Sequence, residues 1–271
     1  MSEYTDIQVE IEDPTCVIRL NRPDKLNAFT YHTLNEIRAA IDSAAVDARV
    51  VGIIITGNGR GFCAGLDAQV LASVTAGDTD VTSQRPTDDD LPGIFSYLLE
   101  VPKPVIAAIN GVAAGGGLIL ALMSDLRIAS KDASFTTIFL KRGLISEHGS
   151  SWLLPRLIGA GRALDLLWTS DRIDAETAAD IGLVEKLVDA DRLIDTAKDY
   201  VRKLADSAAP LAVAATKRLV YRHLGMGYVD ALKEADVIQK EFVAAPDASE
   251  GAQALLEKRT PRFKRLGETE D

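Results

Sequence analysis

The sequence predicts an α/β fold whose second half is helical. Three observations predict it. Apolar runs of strand length alternate with helix-patterned segments through the first 150 residues. Glycine-rich turns stand between strand and helix at residues 57–61 and 115–117. From Ser150 onward almost every segment carries helical spacing, with no sequence repeat.

The elements follow in order. Ile7, Val9 and Ile11 alternate with polar residues, and Cys16-Val17-Ile18-Arg19-Leu20 follows the Asp13-Pro14 turn, so two strands are expected. Asn21-Arg22-Pro23-Asp24 breaks the pattern. Thr30 then caps a helix over residues 31–45, with Leu34, Ile37, Ala40 and Ile41 on one face. Residues 50–56 read as a buried strand, and a further helix starts near Leu66-Asp67. Residues 76–92 are rich in Pro, Gly and Asp and read either as a plain insertion or as a lid. A helix over 94–100 should end before Pro102. Residues 104–123 lack charge and are long enough to span a bilayer, but Asn110-Gly111 and the three glycines divide them into a buried strand, a loop and a buried helix. A strand over 126–129 and the segment 133–139 follow. Helical patterns then cover 162–169, 174–180, 191–206, 210–222, 227–243 and 247–257. Two parts are expected: a core over 1–200 and a helical region over 201–271.

Charge limits the partners. The 271 residues hold 30 Lys+Arg against 40 Asp+Glu, a formal net charge of −10. That balance argues against nucleic acid, which needs a basic face, and against anionic membranes. Cys16 and Cys63 are too few for a disulfide scaffold. Residues 1–14 are acidic, with neither a basic nor an apolar targeting run, so the expected location is cytoplasmic.

Several reaction signatures are missing: there is no G-x-x-x-x-G-K-[ST] and no G-x-S-x-G. His32, His148 and His223 are scattered without metal-ligand spacing. Residues 59–64 fit G-x-G-x-x-A, with an acid at Asp80, which leaves a dinucleotide-binding oxidoreductase as a distant alternative. Two glycine-containing loops, Ala64-Gly65-Leu66-Asp67 and Gly115-Gly116-Gly117, each feed a helix N-terminus. Two readings stand. Converging N–H groups would make an oxyanion hole, or the glycines serve close strand–helix packing.

The strings Phe62-Cys63-Ala64-Gly65-Leu66-Asp67, Lys103-Pro104-Val105-Ile106-Ala107-Ala108-Ile109-Asn110-Gly111 with Gly115-Gly116-Gly117, and Ser124-Asp125 closely resemble the crotonase (enoyl-CoA hydratase/isomerase) superfamily. Asn21-Arg22-Pro23 with Leu26-Asn27-Ala28, Ala178-Ala179 with Gly182-Leu183-Val184, and Glu257-Lys258-Arg259 with Pro261-Arg262-Phe263 extend the likeness over almost the whole chain. The resemblance implies a spiral of ββα turns with a C-terminal helical region that trimerises, as a homotrimer or a dimer of trimers. It implies no permanently bound cofactor and an acyl-CoA thioester as substrate. The thioester oxygen would accept from the N–H groups of Leu66 and Gly116. Coenzyme A would lie along Lys25, Leu26 and the run Ala64, Gly65, Leu66 and Asp67, with Arg22 and Lys25 as local cations. Phe263 and Lys264 match a C-terminal region that reaches a neighbouring subunit's coenzyme A.

The sequence departs from the hydratase pattern at two positions. Where that pattern has a glutamate pair, this chain has Ile119 and, after Ile138, Phe139. Phe135-Thr136-Thr137 with Phe139, Glu147, Ser150-Ser151 and Pro155 is similar to the peroxisomal-type Δ3,Δ2-enoyl-CoA isomerases, which implies Glu147 as catalytic base. A single acid can move an allylic proton, whereas hydration must also activate a water. The alternatives for Glu147 are a solvated loop acid or a charge favouring the helix that begins near Ser150. His148 either tunes Glu147, orients substrate, or is an ordinary loop residue. The resemblance also leaves open a hydratase of atypical site and a non-catalytic acyl-CoA binder. A dehalogenase is disfavoured, since its histidine position is Pro92 here. Val70, Leu71, Phe139, Trp152 and the 76–92 loop are expected to shape the acyl pocket.

Overall fold

The computed structural model describes residues 4–77 and 92–268. Most of the candidate lid, 76–92, lies outside the described residues. The chain runs β1 (Ile7–Glu12), β2 (Thr15–Leu20), α1 (Tyr31–Val46), β3 (Gly52–Gly57), β4 (Gly61–Cys63), α2 (Ala68–Thr75), β5 (Val105–Ile109), β6 (Val112–Ala114), α3 (Gly116–Met123), β7 (Leu126–Ser130) and β8 (Ser134–Thr136). It continues with α4 (Ser150–Ile158), α5 (Ala160–Thr169), β9 (Ile173–Asp174), α6 (Ala175–Asp180), β10 (Lys186–Val188), α7 (Leu193–Ser207), α8 (Pro210–His223), α9 (Tyr228–Val243) and α10 (Pro246–Glu257).

Successive strand pairs divide between two sheets. β3, β5 and β7 join a 6-stranded sheet of order β1-β2-β3-β5-β7-β10, and β4, β6 and β8 join a 4-stranded sheet of order β4-β6-β8-β9. Each ββα turn therefore repeats the previous one a strand spacing further along, and the neighbours within each stack are parallel. This is the ββα spiral that the family resemblance implied. Ile53 and Ile55 point into the main core, while Ile54 on the opposite face packs with Leu193, Ala197 and Val201 of α7. A parallel strand covered on both faces is apolar throughout, which is why residues 53–55 show no alternation.

The uncharged run 104–123 is the centre of this arrangement. It forms β5, β6 and α3, and all eight residues of α3 are buried. Helices apolar all round belong inside a core. No helix among the described residues is long and apolar enough to cross a membrane.

Some elements differ from expectation. The segment 94–100 holds only a 3-10 turn, Ser96–Leu99, because Phe95 and Leu98 are both drawn fully into the core. β4, β6, β9 and β10 are not among the expected strands, because two or three residues are too few to show a period. The G-x-G-x-x-A string falls across the turn before β4 and into that strand, not at the start of a helix, so the dinucleotide alternative loses its structural context.

Candidate active site

The register of the second sheet builds the site. Cys63 pairs with Ala113, and Ala114 pairs with Thr136, so the carboxyl ends of β4, β6 and β8 lie side by side. The residues that follow them are Gly65-Leu66, Gly115-Gly116 and Ile138-Phe139, and they stand in a row. Open α/β sheets bind ligands at this edge.

Backbone shape brings the first two loops together. Gly65 has φ +91 and Gly115 has φ +52, which only glycine adopts cheaply. A β-carbon on Gly65 would lie 3.0 Å from the Gly116 nitrogen. Gly116 and Gly117 serve packing: a β-carbon on Gly116 would meet Phe29 at 2.5 Å, and one on Gly117 would meet the Cys63 carbonyl oxygen at 2.0 Å. The packing reading is therefore right for these two glycines. It leaves the donor reading intact, because among the described residues the N–H groups of Leu66 and Gly116 donate to no acceptor. Both residues line one cavity of about 320 Å³.

The cavity walls are largely apolar. Phe29, Leu34, Leu71, Val74, Ile94, Ile138 and Phe139 contribute, and Phe29 meets Phe95 edge-on at 5.7 Å. Leu71 and Phe139 thus line it as expected, whereas Val70 and Trp152 do not. Ile119 is fully buried inside α3 and is also absent from the lining.

Glu147 and His148 both line the cavity and are half-buried, with Glu147 Oε2 3.5 Å from His148 Nε2. The Glu147 carbonyl accepts from the Ser150 N–H at 3.0 Å and its hydroxyl at 2.7 Å, which anchors the loop to the start of α4. Sequence reasoning missed Tyr31, Arg38, Tyr97 and Arg142, which also face the cavity. The Arg38 guanidinium stacks 4.3 Å from the Tyr97 ring centre and bonds Asp42. A helix-face arginine among Ile37, Ala40 and Ile41 gave no sequence signal for this.

The other candidate residues divide into two groups. Lys25 and Leu26 close a 3-10 turn beside the first loop, where the Ala64 N–H donates to the Leu26 carbonyl at 3.0 Å. Lys25 is exposed. Asp67 is the N-cap of α2, accepting from the Gln69 N–H at 3.0 Å, and it also bonds Arg22 at 3.2 Å. Arg22 further donates to the Ala28 carbonyl, so this cation is spent on holding the loop. Phe263 and Lys264 lie in the tail after α10, where Phe263 packs on Gly251, away from the cavity lining.

Cys63 is no candidate nucleophile. Burial pushes the Cys63 thiol up to about 12, and its Sγ donates to the Asn27 carbonyl, so it is a poor nucleophile. Among the described residues no cluster of three or more His, Cys, Asp or Glu could hold a metal ion.

Comparison with known proteins agrees with this architecture. The family model for enoyl-CoA hydratase/isomerase matches residues 10–266. A probable enoyl-CoA hydratase of Mycobacterium leprae is 37% identical over 264 residues, covering 96% of this chain and 98% of the relative. The 1,2-epoxyphenylacetyl-CoA isomerase of Escherichia coli is 32% identical over 264 residues, covering 93% and 96%. The crystal structure of an enoyl-CoA hydratase from Bacillus anthracis superimposes with a TM-score of 0.87 at 32% identity, covering 97% of this chain and 100% of that one. Fold and cavity together define a crotonase-type acyl-CoA enzyme. The chain belongs to the enoyl-CoA hydratase/isomerase family.

Proposed function

We propose that this chain is an enoyl-CoA isomerase that moves a double bond between the 3 and 2 positions of an acyl-CoA, with Glu147 as its base. The observation that carries the reading is the placement of Glu147 on the same cavity as the two unpaired N–H groups, with no second carboxylate among the described lining residues. Glu147 removes a C2 proton. The electron pair passes into the thioester oxygen, which accepts from the Leu66 and Gly116 N–H groups, and each such donor is worth about 3 kcal/mol in the transition state. The acid then returns a proton at C4.

Coenzyme A in this reading runs over Lys25, Leu26 and the 64–67 loop. Assembly into a homotrimer or dimer of trimers uses the helices of the 201–271 region. Of these, α8, α9 and α10 expose Leu211, Val229, Leu232 and Val237 by 51, 59, 55 and 59% and bury only Ala254, which supports a covering partner. In such an assembly Phe263 and Lys264 act on a neighbouring copy's coenzyme A.

The test is to assay the protein with 3-enoyl-CoA and with 2-enoyl-CoA plus water. Double-bond migration lost by 10²-fold or more in Glu147→Gln is expected, in line with general base catalysis. Fast hydration left untouched by Glu147→Gln would favour a hydratase of different mechanism. Tight acyl-CoA binding without turnover would favour a non-catalytic member.

A further inference from the structure

We propose that His148 is a second proton-transfer group, so that one side chain takes the proton from C2 and another supplies it at C4. The proposal rests on the reading of Glu147 as base and goes beyond it. Neighbouring residues in an extended chain point to opposite sides. Glu147 and His148 are neighbours, yet both line one cavity. The backbone explains how. His148 has φ +51 and Gly149 has φ +81, so two consecutive left-handed residues turn the chain and bring the two side chains onto the same wall. A left-handed conformation at a non-glycine residue is held only where the surroundings impose it. Here the Ser150 side chain and N–H pin the Glu147 carbonyl, and Gly93 lies close enough that a β-carbon on it would meet the His148 Cα at 3.7 Å. The result is an imidazole nitrogen 3.5 Å from a carboxylate oxygen. Glu147 is the one carboxylate, and His148 the one imidazole, among the described lining residues.

The proton balance closes. The Glu147 carboxylate takes a proton from C2 of a 3-enoyl thioester, and the C–H electron pair moves into a dienolate whose charge rests on the thioester oxygen. His148, protonated at Nε2, gives that proton to C4, and the electrons return to form the C2=C3 double bond. A neutral imidazole and a neutral carboxylic acid remain. Glu147 then gives its proton to water and His148 takes one from water, which restores the starting carboxylate and imidazolium. A single shuttling acid would instead carry the C2 proton itself to C4.

Deuterium separates the two. Substrate deuterated at C2, as 3-hexenoyl-CoA in ordinary water, is turned over by the parent and by His148→Asn, because asparagine tolerates the left-handed backbone. The parent is expected to release the label to solvent and to place a solvent proton at C4. His148→Asn is expected to lose tenfold or more in kcat and to carry label to C4 in its residual product. His148→Gln, which keeps polarity but not tolerance of the turn, reports what loss of loop shape does by itself. Parental kcat in His148→Asn overturns the proposal and leaves Glu147 standing. Lost kcat with only solvent hydrogen at C4 of the variant's product also overturns it, since the C4 proton would then come from a source other than His148. Undiminished label release in Glu147→Gln overturns both readings.

Discussion

Gly65 and Gly116 are in contact across the site: a β-carbon on Gly65 would stand 3.0 Å from the Gly116 nitrogen and 2.8 Å from the Ala114 carbonyl oxygen. The loop after β4 therefore has no room to shift relative to the loop after β6.

That contact predicts the behaviour of Gly65→Ala. The new methyl meets backbone on one side, and φ +91 is costly for alanine, so about 1–3 kcal/mol of stability should be lost. The methyl also pushes directly on the Gly116 N–H. Chemical denaturation paired with steady-state kinetics should show kcat falling by at least tenfold in the fraction that remains folded. A folded variant with parental kcat would falsify the pairing of these donors.

Asp125 ties the helical region to the core. Its carboxylate accepts from the Val105 N–H at 2.7 Å, from Lys217 Nζ at 2.7 Å and from the Tyr221 hydroxyl at 2.9 Å. Burial lowers the affinity of Lys217 for its proton, and the neighbouring carboxylate opposes that shift. Asp125→Ala leaves a buried ammonium without its counter-ion and should cost about 3–5 kcal/mol. Adding Lys217→Met should restore part of the loss. Urea melts of both single variants and the double variant measure the coupling.

Lys103 gives a pH signature. Its ammonium is buried and donates to the Ala44 and Asp47 carbonyls at the end of α1, and burial pushes its pKa down to about 8 from 10.5. Between those values the unfolded chain holds more protons than the folded one, so stability contributed at this site rises with pH. Urea melts from pH 7.5 to 10.5 should show the parent gaining on Lys103→Met as pH increases. A constant gap between the two would rule the effect out.

Ile138 is strained in place. It has φ +59, the Phe139 N–H donates to the Thr137 carbonyl across it at 2.8 Å, and its Cγ2 would meet a β-carbon on Gly115 at 3.0 Å. A β-branched residue in the left-handed region is a true outlier. Ile138→Gly removes strain of about 1–3 kcal/mol but also removes a half-buried side chain and adds backbone freedom. The two effects should nearly cancel, to within about 1 kcal/mol, whereas Ile119→Ala in the fully buried α3 should lose about 2–5 kcal/mol. Thermal melts of the two variants decide it.

Local chemistry explains which parts were legible in the sequence. Thr30 announces α1 because its hydroxyl accepts from the Thr33 N–H, a bond contained within one turn. Asp67 likewise shows as a helix cap. β10 was invisible because Lys186–Val188 becomes a strand only by pairing with β7, more than fifty residues earlier. The cavity splits in the same way. Glu147 and the two glycine loops can be read from residue type and likeness. Tyr97 and Arg38 enter it only because α1 and the Ser96–Leu99 turn pack against each other, and Arg22 proved to be a loop brace because Asp67 lies beside it in space. Side chains brought in by tertiary packing leave no periodic trace in the chain.

The two unpaired N–H groups at Leu66 and Gly116 belong to the main chain, and this has a hereditary consequence. A side-chain donor can be erased by almost any codon change, but a peptide N–H is erased only by proline. Nearly every other substitution at these two positions leaves the hydrogen in being and can act on it only by moving it. Acids and bases around the cavity rim can therefore change over generations without touching these two hydrogens. In the proposed reading, the means of holding a negative oxygen is still handed down with the backbone.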